Sequence, residues 1–192
     1  DLISDLVGEF PELQGIMGGH FSESQGFDKD ICLAISEHYL PSGLDSKVPK
    51  KPFSIALALT DKLDTLVGFF GINQKPTSSK DPYALRRSAL GVIRLMVDNN
   101  KEFKIKDLIN YSISLHKDQQ LELSNEFLQK ELTDFLLDRL KYYMKEKKIR
   151  TDIIEGSVNS YGINHVNKIY KKAIALNSVI TTQAGEDIIL SY

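Results

Sequence analysis

The chain has 192 residues, of which 42% are hydrophobic and 26% charged, so it can bury a core and is not expected to be disordered. Its 24 lysines and arginines are balanced by 26 aspartates and glutamates, and the net charge of -2 excludes a globally basic nucleic-acid binder. The single cysteine, Cys32, excludes an internal disulfide framework and favours a reducing compartment, the cytoplasm.

The sequence contains no recognisable membrane-spanning or targeting segment. Its first residues include Asp1, Asp5 and Glu9 instead of a basic region followed by an apolar run. No window approaches the roughly 20 apolar residues that a membrane span needs. We therefore expect no membrane partner.

Apolar residues recur at helical spacing along nearly the whole sequence, which predicts an all-α fold. The opening stretch is predicted to form two helices separated near Pro11, with Leu13, Ile16 and Met17 facing inward. A third helix is predicted to begin after the N-cap Asp28 and to stop at Pro41.

The fourth predicted helix, over residues 53–70, is mostly apolar but carries Asp61 and Asp64 one turn apart on a second stripe. Its apolar stripe consists of Ile55, Leu59, Leu63, Leu66 and Phe70. If the helices bring His20 and His38 to these carboxylates, the group would suit a first-row metal ion. The alternative is that these polar side chains satisfy ordinary hydrogen bonds.

The fifth predicted helix offers the best candidate for contacts with RNA. Asp81 is its N-cap, followed by proline at the first helical position, and the helix runs to about residue 99. Arg87 and Arg94 lie on one stripe, with Arg86 beside the first and Lys80 just before the helix. Guanidinium groups bind phosphate with paired hydrogen bonds. The alternative is that Arg86 or Arg87 pairs with Asp81 or with the carboxylates of the fourth helix.

Beyond residue 100 the sequence is richer in lysine and glutamate and predicts a second helical unit. Helices are predicted over residues 105–116, 124–148, 151–158 and 164–175. Three tyrosines beside lysines can stack on bases, although their helical spacing favours core packing; these are Tyr142, Tyr143 and Tyr170.

Common catalytic motifs are absent from the sequence, including the Walker phosphate loop, H-E-x-x-H and paired zinc-binding cysteines. Nucleophilic catalysis by Cys32 would need a nearby base, but Cys32 falls on a predicted buried face with Ile31, Leu33 and Ala34. We expect a packed, inert thiol and assign no catalytic residue.

Four blocks of sequence resemble one known family in the same order and at similar separations. The blocks are VGEFPELQGIMG (7–18), EHYLP (37–41), DKLDTLVGFFGI (61–72) and PTSSKDPYALRRSALGVIRL (76–95). They resemble the beta subunit of the bacterial two-subunit glycyl-tRNA synthetase. The resemblance is close to about residue 98 and continues at FLLDRLKYYMKEK (135–147). We expect the chain to be an internal fragment of such a subunit.

The resemblance implies an HD-like helical domain at residues 1–100 and, at 101–192, a helical region leading toward the anticodon-binding domain. It implies that ATP, with Mg, and glycine bind on the alpha subunit, so no cofactor is expected here. The implied partners are the tRNA for glycine and the alpha subunit. The implied role is tRNA positioning and subunit assembly. In that role the candidate residues Lys80, Arg86, Arg87 and Arg94 would contact the phosphates of the RNA.

The resemblance also bears on metal binding. In HD proteins a late helix supplies an aspartate ligand, and residues 59–63 are similar to that context, which makes Asp61 the equivalent. Asp1 stands where the aspartate of the His-Asp pair would be, but no adjacent histidine is present. We therefore expect a relic fold without phosphohydrolase activity. The alternatives are a metal-dependent hydrolase using His20, His38 and Asp61, or a pure scaffold between tRNA-binding modules.

Overall fold

Helices form throughout the described part of the chain. The computed structural model describes residues 4–117, 119, 121–161, 163–180, 182, 183, 185 and 187. These residues contain no strand, which confirms the all-α prediction. The helices are α1 (Asp5–Glu9), α2 (Ile16–Ser24), α3 (Lys29–Glu37), α4 (Pro52–Gly71), α5 (Leu85–Val97), α6 (Ile105–Leu115), α7 (Asn125–Glu146), α8 (Thr151–Tyr161) and α9 (Val166–Ile180).

The break near Pro11 is confirmed, because a short 3-10 segment (Pro11–Leu13) separates α1 from α2. The predicted inward orientation of Ile16 is wrong, since its side chain is 47% exposed. The reason is that α2 meets α3 through glycine. A Cβ on Gly19 would lie 1.8 Å from the hydroxyl oxygen of Ser36, so the contact face of α2 has no room for a larger residue.

One hydrophobic core joins α4 through α9. The predicted apolar stripe of α4 is confirmed, and each of its five residues is buried. The core continues into α7 through Leu128, Leu132, Leu136 and Leu140, all at most 1% exposed. Helices from both sides of residue 100 thus share one core, and the HD-like label and the boundary at residue 100 stay predictions.

The start of α5 differs from its prediction by one short turn. Ala84 adopts φ of 53°, a left-handed conformation, so the helix begins at Leu85, three residues after the proline predicted at its first position. The prediction of Asp81 as the N-cap residue is wrong, since Ala84 holds that position. The Asp81 carboxylate still satisfies the start of the helix, because it accepts hydrogen bonds from the backbone N–H of Leu85 at 2.8 Å and of Arg86 at 3.0 Å. The turn before α5 therefore places Arg86 and Arg87 in its first turn.

A network of polar contacts joins the end of α5 to α7. Asp98 binds the Arg94 guanidinium, with Oδ2 3.1 Å from Nη2, and accepts a hydrogen bond of 2.7 Å from the hydroxyl of Tyr143. Tyr143 is 1% exposed. Burial, with help from the hydrogen bond to Asp98, raises the pKa of Tyr143 far above its usual range, so it donates at every physiological pH.

The Tyr143→Phe variant is expected to lower the free energy of unfolding by about 1–2 kcal/mol, because Asp98 loses a buried hydrogen-bond donor while keeping Arg94. Urea denaturation of the purified chain measures this value. The neighbouring Tyr142→Phe variant is the matched control and should stay within about 0.5 kcal/mol, since Tyr142 lies at the surface. Equal stability of the two variants would contradict the structural role of the network.

Candidate nucleic-acid interface

The loop between α3 and α4 lies across α5 and covers part of the predicted arginine stripe. Arg94 holds this loop, because its guanidinium donates to the carbonyl oxygens of Gly43 and, at 2.9 Å, of Ser46. Together with Asp98, these acceptors surround a side chain that is only 9% exposed. Arg94 thus anchors the loop in the fold, and its predicted contact with RNA has no exposed guanidinium to support it.

Arg86 is partly committed to the turn before α5. Its guanidinium donates to the carbonyl oxygen of Thr77, and its Nη1 lies 4.0 Å from Oδ2 of Asp81. Pairing of an arginine with Asp81 was the alternative to RNA contact in the sequence analysis, and Arg86 forms this ion pair. Lys80 is exposed at the same turn, which is closed by a 2.9 Å hydrogen bond from the backbone N–H of Thr77 to the carbonyl oxygen of Lys80.

Arg87 is the exposed arginine of this helix. Within the described part of the chain, no hydrogen bond or ion pair engages its guanidinium. It lies between two cavities and lines both of them, together with Ser42. Its charge is therefore available to a ligand.

The larger of these two cavities, here called the arginine groove, has a volume of about 410 Å³. It is lined by Ser42, Gly43, Leu44, Arg86, Arg87, Leu90, Arg139 and Tyr142. None of these described lining residues is acidic. The groove thus gathers guanidinium groups from α5 and α7 in a local basic patch, which the net charge of the chain does not reveal.

Arg139 and Tyr142 reach the groove from α7, and of the two only Arg139 was not among the residues predicted to contact RNA. The Arg139 guanidinium lies 5.4 Å from the centre of the Tyr142 ring, and its buried Nε has no hydrogen-bond partner among the described residues. Of the three tyrosines singled out from the sequence, Tyr143 and Tyr170 pack together with ring centres 5.7 Å apart, while Tyr142 is 37% exposed. Only the packing of α7 beside α5 shows which of the three tyrosines lines the groove.

The second cavity, of about 180 Å³, contains a buried amine. Lys62 is 4% exposed and donates a 3.0 Å hydrogen bond to the carbonyl oxygen of His38. Burial lowers the pKa of Lys62 to about 8, and the adjacent Asp61 opposes the shift only in part. Gly91 makes room for this side chain, because a Cβ there would lie 2.5 Å from Cε of Lys62.

Comparison with known proteins identifies the family. The family model described as glycyl-tRNA synthetase beta subunit matches residues 1–159. The chain belongs to this family. It is 40% identical over 192 residues to the glycine–tRNA ligase beta subunit of Rhodospirillum centenum, and 39% and 38% identical to the proteins of that name from Cereibacter sphaeroides and Phenylobacterium zucineum. All of the chain is covered each time, against 26%, 28% and 26% of those relatives.

These comparisons confirm the resemblance noted in the four sequence blocks. The relatives are named as subunits of a ligase. The chain spans about a quarter of the length of the relatives that it matches. Among the described residues, no helix is long and apolar enough to cross a membrane.

The metal candidates His20, His38 and Asp61 each have their own local surroundings in the structure. His20 is exposed, with Nδ1 4.0 Å from Glu23, while Nδ1 of His38 is 2.6 Å from the carbonyl oxygen of Ile35. Asp61 lines the Lys62 cavity. In the described ranges, no three His, Cys, Asp or Glu side chains are grouped so that they could hold a metal ion. Asp1 lies outside the described residues.

Asp64 and Cys32, the two remaining candidates for chemistry, contact other parts of the fold. Asp64 binds His116, with Oδ1 2.9 Å from Nε2, and this contact across α4 and the end of α6 had no sequence signal. The predicted burial of Cys32 is confirmed, since it is 8% exposed and its thiol lies 3.5 Å from the carbonyl oxygen of Phe27. The predicted burial of Ile31 and Leu33 beside it is wrong, because they are 40% and 36% exposed. These contacts serve the fold and add nothing to the arginine groove.

Proposed function

We propose that this chain is a tRNA-positioning part of the glycyl-tRNA synthetase beta subunit, acting with the alpha subunit in ATP-dependent glycylation of tRNA. The observation that carries the proposal is the arginine groove, which Arg86, Arg87 and Arg139 line together. None of the described residues that line it is acidic. Guanidinium groups are the side chains best suited to the paired oxygens of RNA phosphates.

The electrostatics of the groove support this role. The whole chain carries a net charge of -2, so its far field does not attract RNA. Close contact must then come from arginines that have no internal partner. Arg87 meets this condition, Arg86 meets it in part, and Lys80 extends the basic edge at the preceding turn. We accordingly assign phosphate contacts to Arg87 first.

We assign the chemistry of glycylation to another chain. The described part of this one offers no grouped metal ligands, and the sequence has no phosphate-binding loop of the Walker type. In this proposal ATP, with Mg, and glycine bind on the alpha subunit in the cytoplasm. The apolar helix faces of this chain serve as core or subunit joints.

The test is glycylation of tRNA by the alpha subunit with a full-length beta subunit that contains this chain. The Arg86→Ala, Arg87→Ala double variant is expected to lower kcat/KM for tRNA about tenfold or more, because two charge-assisted hydrogen bonds are lost. The KM values for glycine and ATP should not change. A double variant of two exposed lysines on α9, Lys168→Ala and Lys171→Ala, is the matched control and should behave as the wild type.

A scaffold role is the second candidate, and the internal bonds of Arg86 and Arg94 favour it. If glycylation needs the beta subunit but the arginine double variant is as active as the lysine control, this segment is a scaffold and the RNA contact is lost. Circular dichroism of each variant confirms that the comparison is made between folded proteins.

A further inference from the structure

We propose that the α7 wall of the arginine groove, formed by Arg139 and Tyr142, binds an unpaired nucleotide of the RNA. The base stacks on the exposed part of the Tyr142 ring, and the phosphate lies between Arg139 and Arg87. This inference rests on the proposed function, because it requires that the groove faces RNA. It adds a base contact to the phosphate contacts of the proposed function, and it assigns this contact to one of the three tyrosines that the sequence left open for stacking.

The first observation is that Tyr142 departs from the behaviour of the neighbouring aromatic residues. Tyr143 is 1% exposed and belongs to the core, whereas Tyr142 is 37% exposed and lines the groove. A tyrosine ring held at the wall of a basic cavity provides an apolar face next to cations. Protein sites for unpaired nucleotides combine these two features.

The second observation is the unsatisfied guanidinium of Arg139. No described residue accepts a hydrogen bond from it, and its buried Nε is without a partner. The Tyr142 ring 5.4 Å away and the Phe135 ring 5.9 Å away hold it by cation–π contacts. A buried donor without an acceptor is costly, so an incoming anionic group would be favoured at this position.

The size and shape of the groove favour an unpaired nucleotide over a duplex. Its volume of about 410 Å³ lies in the range of roughly 300–1,000 Å³ that is typical of cavities for small ligands. A base inside a helix is stacked on its neighbours and cannot offer a face to Tyr142, whereas a base in a loop or at an end can. The groove is lined by both charged groups and an aromatic ring. A contact with the RNA phosphate backbone alone would not need the aromatic ring.

The experiment measures the affinity of the full-length beta subunit, complexed with the alpha subunit, for glycine-accepting tRNA at several salt concentrations. Tyr142→Ala and Tyr142→Leu are expected to weaken binding about fivefold or more at every salt concentration, with an unchanged salt slope, because stacking releases no counterions. Tyr142→Phe should bind as the wild type. Arg139→Ala should weaken binding and reduce the salt slope by about 1.

The matched control is Tyr111→Ala, which removes a tyrosine that is 68% exposed on α6, outside the groove, and should leave binding unchanged. A blunt-ended RNA duplex, which offers no unpaired base, should bind the wild type and Tyr142→Ala with the same affinity.

Three results would overturn the inference. If the Arg86 and Arg87 double variant loses affinity but Tyr142→Ala and Tyr142→Leu do not, the nucleotide site is absent while the proposed function stands. If Tyr142→Phe binds as weakly as Tyr142→Ala, the contact is a hydroxyl hydrogen bond and not a stack. If neither the arginine variant nor the tyrosine variants lose affinity, the groove does not face RNA, and the proposed function fails with the inference.

Discussion

Replacing Arg94 by methionine is expected to lower the free energy of unfolding by about 3 kcal/mol, because it leaves a partly buried carboxylate and two backbone carbonyls without their donor. Asp98 keeps only Tyr143, and the carbonyl oxygens of Gly43 and Ser46 lose the guanidinium that now satisfies them. Methionine replaces the aliphatic part of the side chain, so the effect reports the lost charge and hydrogen bonds more than lost packing.

Chemical denaturation of the purified chain measures this change, and Arg87→Met is the control. Arg87 is exposed on the same helix and lacks a partner among the described residues, so its replacement should change stability by less than about 0.5 kcal/mol. Arg94→Lys should be intermediate, because an ammonium group keeps the charge but cannot reach all the acceptors of the planar fork. If Arg94→Met is as stable as Arg87→Met, Arg94 does not anchor the loop.

The second large effect is a rise in stability with pH that depends on Lys62. The pKa of Lys62 falls from its ordinary value of 10.5 to about 8 in the folded chain, mainly through burial. Between these two pH values the unfolded chain binds more protons than the folded chain, so stability rises with pH. At about 1.4 kcal/mol per pH unit, the total rise is about 3 kcal/mol. Below pH 7 both states are protonated, and Lys62 contributes no pH dependence.

The measurement compares the free energy of unfolding of the wild type with that of Lys62→Met from pH 7 to 10.5. Taking the difference removes the titration of all groups that the two proteins share. The wild type should gain about 3 kcal/mol relative to Lys62→Met across this window, and the difference should be flat at lower pH. A difference that is constant up to pH 10 would mean that the amine is solvated and that its pKa is not lowered.

Several elements follow from local sequence alone. Asp28 caps α3 as expected, since a carboxylate that accepts from the first helical N–H groups needs no distant partner. The apolar stripe of α4 was also predictable, because its period is a property of one helix. The break at Pro11 follows from the fixed φ of proline and its missing N–H group.

Other features depended on contacts between distant segments. Arg87 and Arg94 are equivalent by helical spacing, but the loop carrying Gly43 and Ser46 covers only Arg94. Tyr142 and Tyr143 are neighbours in sequence, but one faces the groove and the other the core, because successive helical residues point in directions about 100° apart.

The amino-acid sequence by itself determined the helical class, the principal caps and stripes, and the family, because each of these is encoded in local patterns or in blocks of contiguous residues. Only the tertiary structure decided which arginines are free, that Arg139 and Tyr142 of α7 stand beside Arg87 of α5, and that Lys62 is buried. Exposure and convergence depend on how helices far apart in the chain pack, and no local pattern specifies that packing.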